Sequence, residues 1–430
     1  MGVFTSSRQY RLGVYLQNPW WLSGASIDLD FDNDRYYDTS LPALTQSLAV
    51  VTNYLSCSRA STGYVKTSAG TLTSFDTDTL RITDLGLLVE DARTNLHLAS
   101  EDFSNVTYWN ALSDVTITAN VTTSPDGNTT ADKITASTNN VFDHYIHGTI
   151  GNAGATATHV GSVFFKNAGY NYGQLILSRA FTDVIGVNID LTTGVTGSIY
   201  AIAGSTAGVT VGSELYANGW VRVWLAMSFT SGNSMDLYTG VQNSLSRTQF
   251  AGNGTDGVYA WGAQVEQGNF LSSYIPTAGA SATRAADAVT ISGQAQTLIN
   301  AATATIVGRI GNTQGAGFAA NLVDSNGTNL IGFNSGNNGL ASITSTLTTA
   351  NTANRSMSVD DKLGLAWSGA GRSLCLNGGT VATDAVAQTP SATQKLGGSA
   401  GSNYIFAIIE RLTIWNSKLA DATLQSMTAP

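Results

Sequence analysis

Aromatic side chains set among hydroxyl and amide groups are the chemistry this sequence offers most freely. A pyranose ring has an apolar face that stacks on Trp or Tyr, while Asn, Gln and Asp hydrogen-bond its hydroxyls. The middle of the chain supplies Tyr145, Trp220, Trp224, Tyr238, Tyr259 and Trp261, among others. Alternation along a strand sorts them. Trp220, Arg222 and Trp224 share one face, and Val221, Val223 and Leu225 share the other. The aliphatic face reads as core, which places Trp220, Arg222 and Trp224 on the open side. Tyr259 stands opposite Val258 and Ala260 in the same way. These four are the candidate sugar-contacting residues. The competing reading of each Trp is cover for a second sheet or a subunit contact.

Other constellations carry less. Asp28, Asp30, Asp32 and Asp34 alternate along one predicted strand face. A calcium-binding helix-loop-helix begun at Asp30 would need Gly at 35 and Glu at 41, and the chain has Arg35 and Leu41. Like charges in this pattern read as a solvated strand edge. His144 and His147 fall on opposite strand faces and cannot chelate one ion, so they and His97 and His159 read as surface polar groups. The stretch Gly252–Gly257 satisfies G-x-G-x-x-G, but a strand follows it where a dinucleotide site needs a helix. No phosphate-binding loop occurs. An enzyme is therefore not expected. A polysaccharide depolymerase would need a groove with paired carboxylates.

Composition sets the scaffold. Charged residues are 11% of the chain, against roughly 25% in average proteins. The polar surface must then come from Thr, Ser, Asn and Gly, which suit strands and turns. The net charge is −9 and no basic stripe occurs, which disfavours nucleic acid. No apolar run reaches the length of a membrane span, and Met1–Arg8 has no apolar core of an export signal. Cys57 and Cys375 read as two separate buried thiols.

Short alternating segments punctuated by turns predict an all-β protein: tandem antiparallel β-sandwiches (jelly rolls) preceded by a small β-rich N-terminal segment. Residues 1–95 form that segment, 96–287 the first sandwich and 288–430 the second. Strand candidates in the first are 115–120, 159–166, 174–178, 184–190, 220–229, 235–241 and 258–266. In the second, Asn377-Gly378 predicts a hairpin turn.

Two stretches bracket the first sandwich. Gly86–Leu96 resembles the opening, and Gly257–Glu266 with Ser273–Thr277 and Arg284–Asp287 resembles the closing strand and exit loop, of a carbohydrate-binding jelly roll found in bacteriophage virion proteins. Ser124–Ile134, Ser162–Lys166 and Asn218–Val223 match further pieces. The tail Glu410–Leu424 resembles the last strand and short helix of laminin-G-like, concanavalin-type jelly rolls. The resemblance implies a fibre, spike or tail-tip protein, trimeric, assembled in the host cytoplasm and exposed on the virion. Its implied partners are other virion proteins and host cell-surface polysaccharide, with no nucleic acid and no membrane insertion. The alternative is a decoration or adaptor protein that binds no sugar. Residues 1–95 would attach to the particle or brace the next domain. Glu101 and Asp102 sit where related modules place a structural calcium ligand. The matching Asp in the last strand is absent, because Ala260 and Gly262 flank Trp261.

Overall fold

The computed structural model describes residues 24–39, 48–152, 154, 156–230, 232–313, 320–325, 328–333, 339–341, 347–349, 361–388, 390, 393–398 and 407–429. The fold is all-β with antiparallel ladders, and the chain divides into two compact units. Unit 1 comprises residues 1–57, 82–90 and 288–430; unit 2 comprises 58–81 and 91–287. The stretch 1–95 is therefore shared between the units instead of standing as a segment of its own. The reason is strand pairing: Ile27–Asp30 and Gly86–Val89 both pair with Ala407–Trp415, while Arg93–Asn95 pairs with Ala282–Arg284.

In unit 1, Ile27–Asp30 lies between Arg35–Asp38 and Ala407–Trp415, so it is an interior strand. Ile27 and Leu29 are buried on one side of it, Asp28 and Asp30 on the other. The expected solvated edge is thus absent. Only Asp28 and Asp30 are in the strand; Asp32 and Asp34 occupy the following turn, where Asp34 has φ 53°. Burial of these acids is offset by arginines from neighbouring strands. Arg411 grips Asp28 through Nε (2.7 Å) and Nη2 (2.6 Å), and Thr413 Oγ1 donates to Asp28 at 2.6 Å. Arg35 reaches Asp30 at 2.5 Å, and Arg309 pairs with Asp32 and Glu410. Asn377 and Gly378 adopt φ 50° and 67°, the left-handed pair a two-residue hairpin requires. The helix Asp421–Thr428 follows the last strand and packs on Asp361–Ser368 and Gly371–Leu376, with Leu424 in one cluster with Val307, Ala366, Cys375 and Trp415.

Unit 2 is a sandwich of two six-stranded sheets. The first runs Val115–Thr122, Ala131–Ala136, Gly257–Gln267, Ala157–Ala168, Val221–Phe229, Thr210–Leu215. The second runs Tyr200–Ala203, Asp183–Asp190, Tyr172–Arg179, Ser234–Gln242, His144–Asn152, Ala111–Ser113. Their facing sides interdigitate in one apolar core. Val221, Val223, Leu225, Met227 and Phe229 enter it from the first sheet; Leu175, Leu177, Ile185, Val187 and Leu237 enter from the second. Each such aliphatic side chain contributes about 1.5–3 kcal/mol when fully buried. Period-two alternation then fixes what the outer faces carry.

Candidate functional site

The outer face of the first sheet carries the tryptophans, and it is closed. Trp220 is 1% exposed and Arg222 is 2% exposed, against the open placement expected from the sequence. Trp220 Nε1 donates to Thr123 O at 3.0 Å, and its ring packs with Phe164, Trp261, Tyr274 and Leu72. Arg222 donates to Ser162 Oγ (3.3 and 3.1 Å) and to Ser272 O (3.0 Å), with its guanidinium 5.0 Å from the Phe164 ring centre. Trp224 is half-buried against Val160, Ala226 and Leu271, and Tyr259 is half-buried against the Trp220 cluster. The face sorting holds, but the hairpin Gly63–Lys66/Leu72–Phe75 and the loop through Leu271–Ile275 roof this side, so the group is a second apolar core.

The residues that carried the resemblance fasten this roof. Asn95 Nδ2 donates to the Ala263 and Ile275 carbonyls (3.1 and 2.8 Å), and its Oδ1 accepts from Val265 and His97 (both 3.0 Å). Glu266 accepts from Ser272 N (2.7 Å) and Oγ (2.6 Å); burial pushes its pKa up, against those hydrogen bonds. Asp287 receives Arg59 Nη1 at 2.9 Å and Arg81 Nε at 3.2 Å.

Glu101 and Asp102 are each engaged by side chains or turns of the protein itself. Glu101 Oε1 accepts from the Tyr274 hydroxyl at 2.9 Å, and Asp102 caps its own turn through Ser104 N (3.2 Å) and Ser104 Oγ (2.6 Å). No group of three or more His, Cys, Asp or Glu side chains gathers among the described residues. His144 and His147 do fall on opposite faces. His144 is buried against Phe250, 4.4 Å between ring centres, and His97 and His159 are buried too, so these three are not surface groups.

The outer face of the second sheet is different in kind. Its central strands present His147, Tyr145, Asp236, Tyr238, Gln242, Gln174 and Ser178, each opposite in phase to a core residue. His147 and Tyr238 are cross-strand partners and stack at 4.5 Å with 14° between planes. Tyr145 meets Tyr238 edge-on at 5.1 Å. Around this aromatic patch, five buried polar atoms have no partner: His147 Nδ1, Gln174 Oε1, Ser178 Oγ, Asp236 Oδ2 and Gln242 Oε1. Asp236 is 1% exposed, and its other oxygen takes the Thr149 hydroxyl at 2.8 Å. Gln174 Nε2 donates to Asp143 Oδ1 (3.1 Å) and Tyr200 OH (2.8 Å), and Gln242 Nε2 donates to Phe142 O (2.6 Å). Those donations fix which way each amide points. Arg247 is bound by Asp143 through Nε at 2.8 Å and through Nη2, and lies 4.9 Å over the exposed Phe142 ring. Burial lowers the His147 pKa, so the imidazole is neutral near pH 7; burial and Asp236 push Tyr238 up to about 12.

Sequence reasoning passed over this face. Its signal is the run Ser234–Gln242, in which Met235, Leu237 and Val241 alternate with Asp236, Tyr238 and Gln242. A cleft of about 610 Å³ opens elsewhere in unit 2, lined by Arg93, Leu96, Thr158 and Gln267 among others. Arg93, its one charged lining residue, sits 5.1 Å over Phe270, so the cleft offers less varied chemistry than the sheet face.

No family model matches the chain, and no curated protein matches it. Among solved structures, the chain is similar to Ruminococcus gnavus IT-sialidase CBM40 bound to alpha2,3 sialyllactose, at 18% identity and TM-score 0.26, over 32% of this chain and 87% of that one. It is also similar to mouse laminin alpha1 chain, domains LG4-5, at 11% identity and TM-score 0.19, over 65% of this chain and 85% of that one. Similarity this low fixes neither a family nor a ligand.

Proposed function

We propose that unit 2 is a non-catalytic glycan-binding module whose contact surface is the outer face of its second sheet. The observation that supports it is the pair of half-buried rings, Tyr145 and His147, packed on Tyr238, with the exposed Phe142 and the Arg247–Asp143 pair nearby. A ligand with an apolar face and a rim of hydroxyls covers these rings and bonds the polar groups beside them, which describes a sugar. The reading is tested by calorimetric titration of the full chain with fragments of bacterial surface polysaccharide. Binding is expected, and Tyr145→Ala should weaken it by roughly 5- to 150-fold, from a lost stacking contact of about 1–3 kcal/mol by analogy with base stacking. Binding that ignores Tyr145→Ala would remove the assignment. No release of reducing ends is expected.

The finer reading is adhesion of a bacteriophage particle to its host, by a fibre, spike or tail-tip protein displayed in several copies. What supports it is the resemblance of Gly86–Leu96, Gly257–Glu266, Ser273–Thr277 and Arg284–Asp287 to virion jelly rolls. A trimer would multiply weak single-site binding through avidity. Mass spectrometry of purified particles tests the location, and light scattering tests the copy number. A chain present in particles that binds no sugar would be an adaptor or decoration protein.

A further inference from the structure

The cleft of about 610 Å³ in unit 2 shares no lining residue with the second-sheet face, and its size admits a disaccharide. Arg93, its one charged lining residue, is half-buried and held from two sides. Its guanidinium lies 5.1 Å from the Phe270 ring centre. It also passes so close to Gly268 that a Cβ there would meet Nη2 at 2.9 Å and Cζ at 3.0 Å. A ring under a guanidinium engages the plane of the group and takes none of the donors at its edge. Arg284 is the cross-strand partner of Arg93, so two guanidinium side chains share one face of that ladder. Like charges in this register repel, and an anion held at Arg93 eases the repulsion. Burial raises the pKa of Glu266, and its hydrogen bonds with Ser272 and the Arg93 charge oppose that rise. Glu266 is 0% exposed and holds Ser272 N (2.7 Å) and Oγ (2.6 Å), so it is not a group that a ligand in the cleft meets.

The reachable groups beside the arginine suit a hydroxylated ring. Gln267 and Asn269 are exposed amides, Thr94 and Thr158 are half-buried, and Leu96 adds an apolar wall. Thr94 Oγ1 lies 2.8 Å from Thr283 Oγ1 and Thr158 Oγ1 3.2 Å from Ser228 Oγ, which leaves each hydroxyl further hydrogen-bonding capacity. We infer that this cleft is a second sugar site of unit 2 and that it takes sugar acids, with the carboxylate on Arg93 and the ring hydroxyls on the amides and threonines. A carboxylate meets the edge of a guanidinium through paired, charge-assisted hydrogen bonds. The inference does not depend on the second-sheet face.

Three small probes test this: glucuronate, glucose and acetate. Each is titrated at low ionic strength into the full chain carrying Tyr145→Ala, which lacks a stacking ring of the second-sheet face, and binding is read by ligand-detected NMR. Glucuronate is expected to bind at least about tenfold more tightly than glucose or acetate, the discrimination that hydrogen bonds to a charged group support. Arg93→Gln should remove the advantage over glucose. Asn269→Ala, at an exposed position, should weaken glucuronate by about two- to tenfold. Glucose binding as well as glucuronate, or an advantage that survives Arg93→Gln, overturns the assignment. Acetate binding as well as glucuronate would make the cleft a bare carboxylate site and overturn the sugar part. Should Arg93→Gln fail to fold, the glucuronate-to-glucose ratio and Asn269→Ala decide the point. Polysaccharide titration of the wild-type chain reports on the second-sheet face separately, so either site can fail alone.

Discussion

Replacing Asp287 by Ala should unfasten unit 2 at one point. The carboxylate is 1% exposed and serves two guanidiniums that are 0% exposed, Arg59 and Arg81. Breaking a buried ion pair costs about 3–5 kcal/mol, because it leaves a charge without compensation. Here two charges lose the same partner and repel each other. Each retains neutral acceptors: Arg59 keeps the carbonyls of Ser61, Thr79 and Asp76, and Arg81 keeps that of Tyr64 and the Ser273 hydroxyl. The two corrections oppose, so the expected loss is about 4 kcal/mol. In a unit of this size that lowers Tm by about 8–16 °C. Asp287→Asn, which keeps an acceptor oxygen, should cost about half as much. Differential scanning calorimetry reads the shift, and hydrogen exchange locates it, with residues 58–81 expected to lose protection first. A Tm within about 2 °C of wild type, or unchanged protection over 58–81, would refute the idea that one carboxylate makes the burial of both arginines tolerable.

Two further outcomes follow from the same geometry. Trp220→Ala should destabilise unit 2 by about 3–5 kcal/mol in urea titration, and a folded Trp220→Ala protein should bind glycan as wild type does. In unit 1, burial and the hydrogen bond with Asp30 push Asp32 up to about 7. Its folded pKa lies above the unfolded value, so its contribution to stability is complete below about pH 4 and is lost as pH rises through about 7. Urea midpoints of the unit 1 transition between pH 4 and 8 should fall with rising pH, and Asp32→Asn should flatten that slope.

Strands and core were legible because period-two alternation is written in side-chain chemistry. Val221, Val223 and Leu225 could face only inward, and they do. Openness was not legible, because what roofs a sheet comes from distant sequence. Leu72 and Tyr274 lie far from Trp220 along the chain and still close its face. The same blindness hid the acid ladder: Asp28 is matched by Arg411, and nothing local announces that partner. The second-sheet face was readable in principle. Tyr and Gln tolerate a wet, half-enclosed surface where Trp is drawn into apolar company, and Tyr238 with Gln242 stood one strand apart from Tyr145 and Gln174. Choosing faces by aromatic size favoured the sheet whose outer side is roofed.

The pairing of Ile27–Asp30 with Ala407–Trp415 sets a schedule for biosynthesis. Asp28 and Arg411 are 383 residues apart. At about 5–20 residues per second, roughly 20–75 s pass between the ribosome making one and making the other. Throughout that interval the strand bearing two acids lacks its Ala407–Trp415 neighbour, and every residue of unit 2 is made within it. Unit 1 is thus completed last, by the arrival of its final strand.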